Sequence, residues 1–367
     1  MNKQARTIIL GAGISILTIG TGAAQIDKIG NILTGGVNDA QLILTEYLRP
    51  LANSLGANLN GGWYNTAKVH GTLGFHLTFT VSAAFVPDAA KMFDLTELAL
   101  GDNVTPSSPM SPTFAGEKGS GPTLTYQQTV PGLPNPVTFL QYDLPGGTGL
   151  GFLPSPMINA GVGLPKGFEI MGRYMPRMHY GGLSSGLWGI GFKHDIGQWI
   201  PFVKRIPILD FTIMYGYTNL NANAELSPIT PDDLIPAVTD HTSGISWDDQ
   251  NLDLTTQGHT ANFLVGATLP VVAFYGGVGI SITQTNLKAN GYYPIPTVNN
   301  TTYQVEVTNE SALKDPIDIE IKNSDGSTAK PRFNVGMRFK FTVITIHFDY
   351  TYANYSVATA GLGISLR

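Results

Sequence analysis

Few residues in this 367-residue chain have types and spacings that could do chemistry, and most of those groupings lack a part that the chemistry requires. Gly182-Leu183-Ser184-Ser185-Gly186 has the spacing of a hydrolase nucleophile elbow. That elbow needs a strand, a sharp turn and a helix to present its serine, whereas these residues lead into an alternating stretch that reads as a strand. An esterase is therefore only a third reading, and no catalytic residue is expected. Asp249-x-Asn251-x-Asp253 opens like a calcium loop, yet Leu254 stands where the glycine is needed and Thr260 where the bidentate glutamate is needed. The chain has no Cys, which removes disulfides, thiolate metal sites and Cys nucleophiles. His70 and His76 share one face of an alternating stretch, where six extended residues set them ~20 Å apart. No metal and no cofactor are expected from that spacing.

The strongest grouping lies near the end. If Phe341 faces Ile344 across a tight turn, Arg338 falls opposite His347 and Gly336 opposite Asp349, with Lys340 on the same face. Arg338, Lys340, His347 and Asp349 then form a lumenal constriction that filters or binds a solute. The alternative, a charge network bracing a barrel wall, has the stronger prior, since inward polar residues fill small barrels. The same parity argument turns His70, His76, Glu169, Arg173, Asp210, Asn262 and Tyr275 inward.

The elements that must position these groups are strands. Phe333, Val335, Met337, Phe339 and Phe341 alternate with polar or small residues; Ile344 to Tyr352 and Ala358 to Leu366 repeat the pattern. Val69 to Phe85 alternates over seventeen residues, more than the ~9–11 that a tilted strand needs to cross a bilayer. Further alternating stretches run from Ile158 to Leu164, Phe168 to Tyr174, Trp188 to Phe192, Leu209 to Tyr217, Ala261 to Leu269 and Val272 to Ile282. Pairing Leu164 with Phe168 sets Gly163 opposite Glu169, Gly161 opposite Met171 and Asn159 opposite Arg173. In the hairpin around Pro270, Gly266 faces Tyr275 and Gly277 faces Leu264. Long polar loops follow Phe85, Tyr217 and Ile282 on one side, and short turns at Lys166, Pro270 and Thr342 fall on the other. That sorting marks an outer-membrane barrel. Surface hairpins are expected at Thr123–Val130 with Val137–Asp143, and at Tyr303–Val307 with Ile317–Ile321.

Composition agrees. Charged residues make up 13% of the chain and hydrophobic residues 43%. The net charge of -5 leaves no basic footprint for nucleic acid. Lys3 and Arg6, the apolar Thr7–Ile19 and the small residues before Gln25 read as an export signal over residues 1–24. Residues 25–66 follow as a helical, plug-like segment. Asn38 is its N-cap, Leu44, Tyr47, Leu48 and Leu51 share one face, and Pro50 breaks or kinks the helix near Arg49. This helix either plugs a lumen or packs beneath the barrel on the periplasmic side. Residues 67–367 form the barrel.

Lys193-His194-Asp195-Ile196, Gln198-Trp199-Ile200-Pro201 and Val357 to Ser365 resemble an uncharacterised family of Gram-negative outer-membrane barrels. More distantly, the layout from Gly36 onward is similar to the FadL-like long-chain fatty acid transporters. That resemblance implies an N-terminal hatch, fourteen strands and a hydrophobic solute.

The expected fold is all-β: a transmembrane antiparallel up-and-down β-barrel with ten strands read directly, twelve to fourteen in all, and a short N-terminal helical segment. It belongs in the bacterial outer membrane, with lipid and lipopolysaccharide as its surroundings and a small hydrophobic solute as its candidate partner. Porin-like passive transport of small molecules is the leading expectation. The alternative is a non-transporting structural or secretion-associated barrel that binds a partner through its extracellular loops.

Overall fold

The computed structural model describes residues 28–366 apart from positions 181 and 202. The expected export signal at residues 1–24 lies outside the described residues. Ten antiparallel strands close on themselves: β1 Phe75–Phe85, β2 Phe152–Leu164, β3 Phe168–Tyr180, β4 Leu183–Asp195, β5 Leu209–Glu225, β6 Asn251–Thr268, β7 Val272–Asn290, β8 Ala329–Phe341, β9 Ile344–Tyr352 and β10 Val357–Leu366. Each pairs with its neighbours in sequence, and β10 returns to β1 with Leu366 opposite Phe75. The barrel is complete at ten strands, not twelve to fourteen.

Alternation decides which face is which. Phe79, Ile190, Phe274, Phe333, Phe348 and Leu362 are outward and exposed, whereas Thr78, Thr80, Thr212, Thr260, Thr345 and Thr359 face inward and are buried. An apolar belt around a closed polar-lined barrel is stable only in lipid. The protein is therefore a membrane-spanning barrel of the outer-membrane type. Among the described residues no helix is long and apolar enough to cross a membrane.

The anticipated registers hold: Arg338 opposes His347, Gly336 opposes Asp349, Asn159 opposes Arg173 and Gly266 opposes Tyr275. The first strand differs. It begins at Phe75, not Val69, because Leu73 adopts a left-handed backbone (φ 62°) and its N–H bonds to the Gly163 carbonyl at 2.9 Å. His70 consequently lies on a connecting segment and not on β1.

The helix also departs from expectation. α1 spans Val37–Asn60 without interruption at Pro50, and its N-cap is Gly36 at φ 93°, not Asn38. Contacts with neighbouring turns and wall outweigh the local cost of an interior proline. Leu44, Tyr47 and Leu48 are fully buried and Leu51 half-buried. They pack against Leu124, Leu140, Leu252, Leu287, Val307 and Ile317, contributed by the outer loops and the outer ends of the strands. The helix thus shares its buried face with the long-loop end of the barrel.

The outer loops thus carry a core resembling that of a soluble protein. Val104–Pro106, Ser120–Gln128 and Val137–Pro145 form one small sheet, of which the last two make the expected hairpin. The second expected hairpin does not form. Val305–Thr308 pairs with Thr297–Val298 and Thr239–His241, while Ile317–Ile321 extends the barrel sheet beside β7. Non-local pairing of this kind leaves no short-range signal. Gln250 clamps two loops together, donating to the Ile229 and Tyr292 carbonyls and accepting from Ile229 N–H.

Candidate functional site

The lumen is filled by the chain itself. α1 ends inside the barrel at Asn60, and the segment from Gly61 to Gly74 runs down to the start of β1. The last carbonyls of a helix lack internal partners and carry the negative end of its dipole. Here wall cations meet them. Arg173 on β3 donates to the carbonyls of Leu59 (2.8 Å) and Gly61 (2.9 Å). Arg332 on β8 donates to the Asn60 carbonyl and to Thr260 Oγ1 (2.9 Å). Both guanidinium groups are buried, so each carbonyl they reach is also one that water cannot.

Below this point every few residues of the segment are tied to the wall. Trp63 lies against Arg173 in a space that Gly191 and Gly216 leave open. Tyr64 donates to Asn334 Oδ1 (2.7 Å), and its ring meets Tyr275 edge-on. Arg338 donates to Asn65 Oδ1 (3.3 Å), Thr212 to the Ala67 carbonyl (2.7 Å), and Lys193 to the carbonyls of Thr66 (3.2 Å) and Lys68 (3.0 Å). This segment follows a defined path along the inner wall.

At its lower end the sequence spacing misleads. His70 and His76 are not ~20 Å apart along an extended strand; their rings stack with centroids 5.0 Å apart. The turn at Leu73 folds His70 back onto the wall. Glu169 of β3 lies between the two, 3.1 Å from His70 Nδ1 and 3.4 Å from His76 Nδ1, with Lys193 Nζ 3.5 Å away. All four side chains are buried. Gly161 makes room for them, since a Cβ there would sit 2.4 Å from His76.

The anticipated constriction residues are distributed along the wall. Arg338, His347 and Asp349 are buried and inward; Lys340 is partly exposed at the short-turn end. Asp349 neighbours Tyr275, and Asp210 accepts from Thr268 Oγ1 (2.6 Å). Asn262 is buried beside Thr260. Lys68, His70, Arg338 and Lys340 line a cavity of about 430 Å³ that opens at the same end. Arg332, Lys193 and Trp63 were not anticipated as site residues. Lys193 has the inward parity of β4, one step from outward Phe192, and that signal could have found it.

The two remaining motifs have structural explanations. Ser184 stands in strand β4, followed by more strand and no helix. Asp253 accepts hydrogen bonds from the amides of Asn223 and Asn290, and Asn251 from the same two amides. The calcium-like triplet is therefore part of a side-chain ladder across β5, β6 and β7.

Several solved barrels are similar to this chain at low identity. They include the translocator domain of the autotransporter NalP from Neisseria meningitidis (9% identity, 81% of this chain and 90% of that chain, TM-score 0.28). The transport unit of the autotransporter AIDA-I from Escherichia coli aligns at 8% identity over 87% of this chain and 99% of that one (TM-score 0.27). The TodX monoaromatic hydrocarbon channel deltaS2 mutant aligns at 10% identity over 81% and 67% (TM-score 0.26). No curated protein matches significantly. Residues 1–366 match the family of unknown function DUF6588, and the chain belongs to that family.

Proposed function

We propose that this protein is a plugged, resting-state non-conducting outer-membrane barrel that binds a partner through its outer loops. The observation that carries this reading is the occupied lumen. α1 and the segment after it are held by Arg173, Arg332, Lys193 and Arg338, and the loop core seals the outer mouth. Such a wall-to-plug network resists the passage of solute. The loop of residues 226–250 adds an acidic surface, with Asp232, Asp233, Asp240, Asp248 and Asp249 and no Lys or Arg.

A second reading, transport of small solutes including hydrophobic ones as in FadL-like barrels, draws on the cavity of about 430 Å³ lined by Lys68, Arg338 and Lys340. Its cations suit the carboxylate of an amphipathic solute. In that reading the plug moves aside during transport.

Planar-bilayer conductance and liposome swelling separate the two. The full chain is expected to be silent, and a chain lacking residues 28–66 is expected to conduct. Solute-dependent swelling by the full chain would favour transport over partner binding.

A further inference from the structure

We propose that His70, His76 and Glu169 bind one divalent transition-metal ion, zinc by preference, which clips the lower end of the plug segment to the barrel wall. The three ligands come from three separate elements: the connecting segment, β1 and β3. Their donor atoms all lie within 4.8 Å of one another.

The distances fit a metal centre. A tetrahedral zinc with bonds of 2.0–2.1 Å holds its donors ~3.4 Å apart. Glu169 Oε1 lies 3.4 Å from His76 Nδ1, and the other carboxylate oxygen, Oε2, lies 3.1 Å from His70 Nδ1, so the carboxylate spans the two imidazoles. Histidine and carboxylate donors without thiolate suit zinc and its first-row neighbours.

An independent observation points to the same place. Apart from their contacts with one another, His70 Nδ1, His76 Nδ1 and Glu169 Oε1 are buried without hydrogen-bond partners, and their residues are only 7%, 7% and 0% exposed. Orphaned polar atoms at that depth are costly, and one cation between them would satisfy all three. The outer shell also fits. His70 Nε2 lies 3.1 Å from Ser365 Oγ; donation to that hydroxyl leaves Nδ1 unprotonated and free to ligate. His70 and Ser365 also line the cavity of about 430 Å³, which provides an entry path and room for a water as fourth ligand.

Lys193 is the competing cation. Its ammonium lies 3.5 Å from Glu169 Oε2, so the metal takes Oε1 and shares the carboxylate. Arg338 is the other cation near His76, and its side chain is engaged with Asn65. Replacing Lys193 by Met is therefore expected to tighten metal binding, an effect that a simple His–Glu hydrogen-bond network would not produce.

The full chain, chelator-stripped and folded in detergent micelles, is titrated with Co²⁺ and then Zn²⁺. One equivalent of cobalt is expected, with the visible absorption of a four-coordinate site, displaced by zinc. Ser365→Ala should weaken binding roughly 10- to 100-fold, the usual effect of losing an outer-shell partner. His76→Ala and Glu169→Gln should abolish it, with circular dichroism confirming the barrel in each variant. Absence of saturable cobalt uptake by the native chain, which needs no variant to fold, overturns the proposal, as does unchanged affinity in folded His76→Ala. For the clip, hydrogen exchange of the amides between His70 and Gly74 is expected to slow when zinc is added. Identical exchange with and without zinc overturns it.

Discussion

The guanidinium carbon of Arg173 lies 3.7 Å from the centroid of the Trp63 ring, while its terminal nitrogens hold the carbonyls of Leu59 and Gly61. One wall cation thus holds both the end of the helix and the segment that follows it. The pocket for the indole is made by absent side chains: a Cβ at Gly216 would lie 2.4 Å from the ring and one at Gly191 2.9 Å. Gly216→Val should therefore push Trp63 off its seat. Overpacking of this kind costs about 1–3 kcal/mol. The expected results are a lower urea midpoint and ion leakage in planar bilayers. A variant as silent and as stable as the native chain would show that Trp63 is not the seal.

Arg332 grips the next carbonyl, that of Asn60, and donates to Thr260 and Thr351 as well. Arg332→Met leaves that carbonyl buried and unpaired, at a cost of about 1–3 kcal/mol. Because Arg173 and Arg332 serve one helix end, their losses should not add; coupling of about 0.5–3 kcal/mol is expected for groups in one network. A double-mutant cycle read by urea unfolding in vesicles measures it. Strict additivity would mean that the two latches act independently.

The loop core supplies a pH test. The hydroxyls of Tyr126 and Tyr142 are 3.3 Å apart, on the hairpin that covers α1. Burial pushes both phenols above their ordinary value, and Asp39 nearby adds to the shift. A folded-state pKa raised above the unfolded one contributes stability that is present below the ordinary tyrosine pKa and is lost as pH rises through and beyond it. Protease resistance of residues 86–151 should therefore fall above pH ~10. Tyr142→Phe should flatten that dependence. A loop core equally resistant on both sides of this range would contradict the assignment.

The barrel wall was legible because parity is a local property of the chain. Once Phe341 was set opposite Ile344, the placement of Arg338 against His347 followed by counting. The wall partners of the helix end and the segment after it were not legible in the same way. Arg173 reaches Gly61 across 112 positions and Arg332 reaches Asn60 across 272, and nothing in either neighbourhood encodes the other. The metal-ligand cluster was hidden for a different reason. Alternation continues through Val69 to Leu73, but the backbone turns at Leu73, so an extended-chain distance was applied to residues that fold back. The loop pairings of Val305–Thr308 and Ile317–Ile321 failed because their true partners lie in other loops or on the barrel.

The lipid-facing wall can be tested against an equally apolar exposed position outside it. Val335, half-way along β8, is 67% exposed, and Met110, on a loop strand, is 41% exposed. In water, an arginine at either place would be nearly neutral, as exposed substitutions usually fall within about 0.5 kcal/mol. In a bilayer the two diverge. Val335→Arg should destabilise the barrel by about 2–4 kcal/mol, the cost of a cation near the midplane of a membrane barrel. Met110→Arg should be tolerated, because the loop strand lies beyond the lipid. Urea unfolding of both variants in phospholipid vesicles measures the contrast, and an equal effect at the two positions would remove β8 from the membrane.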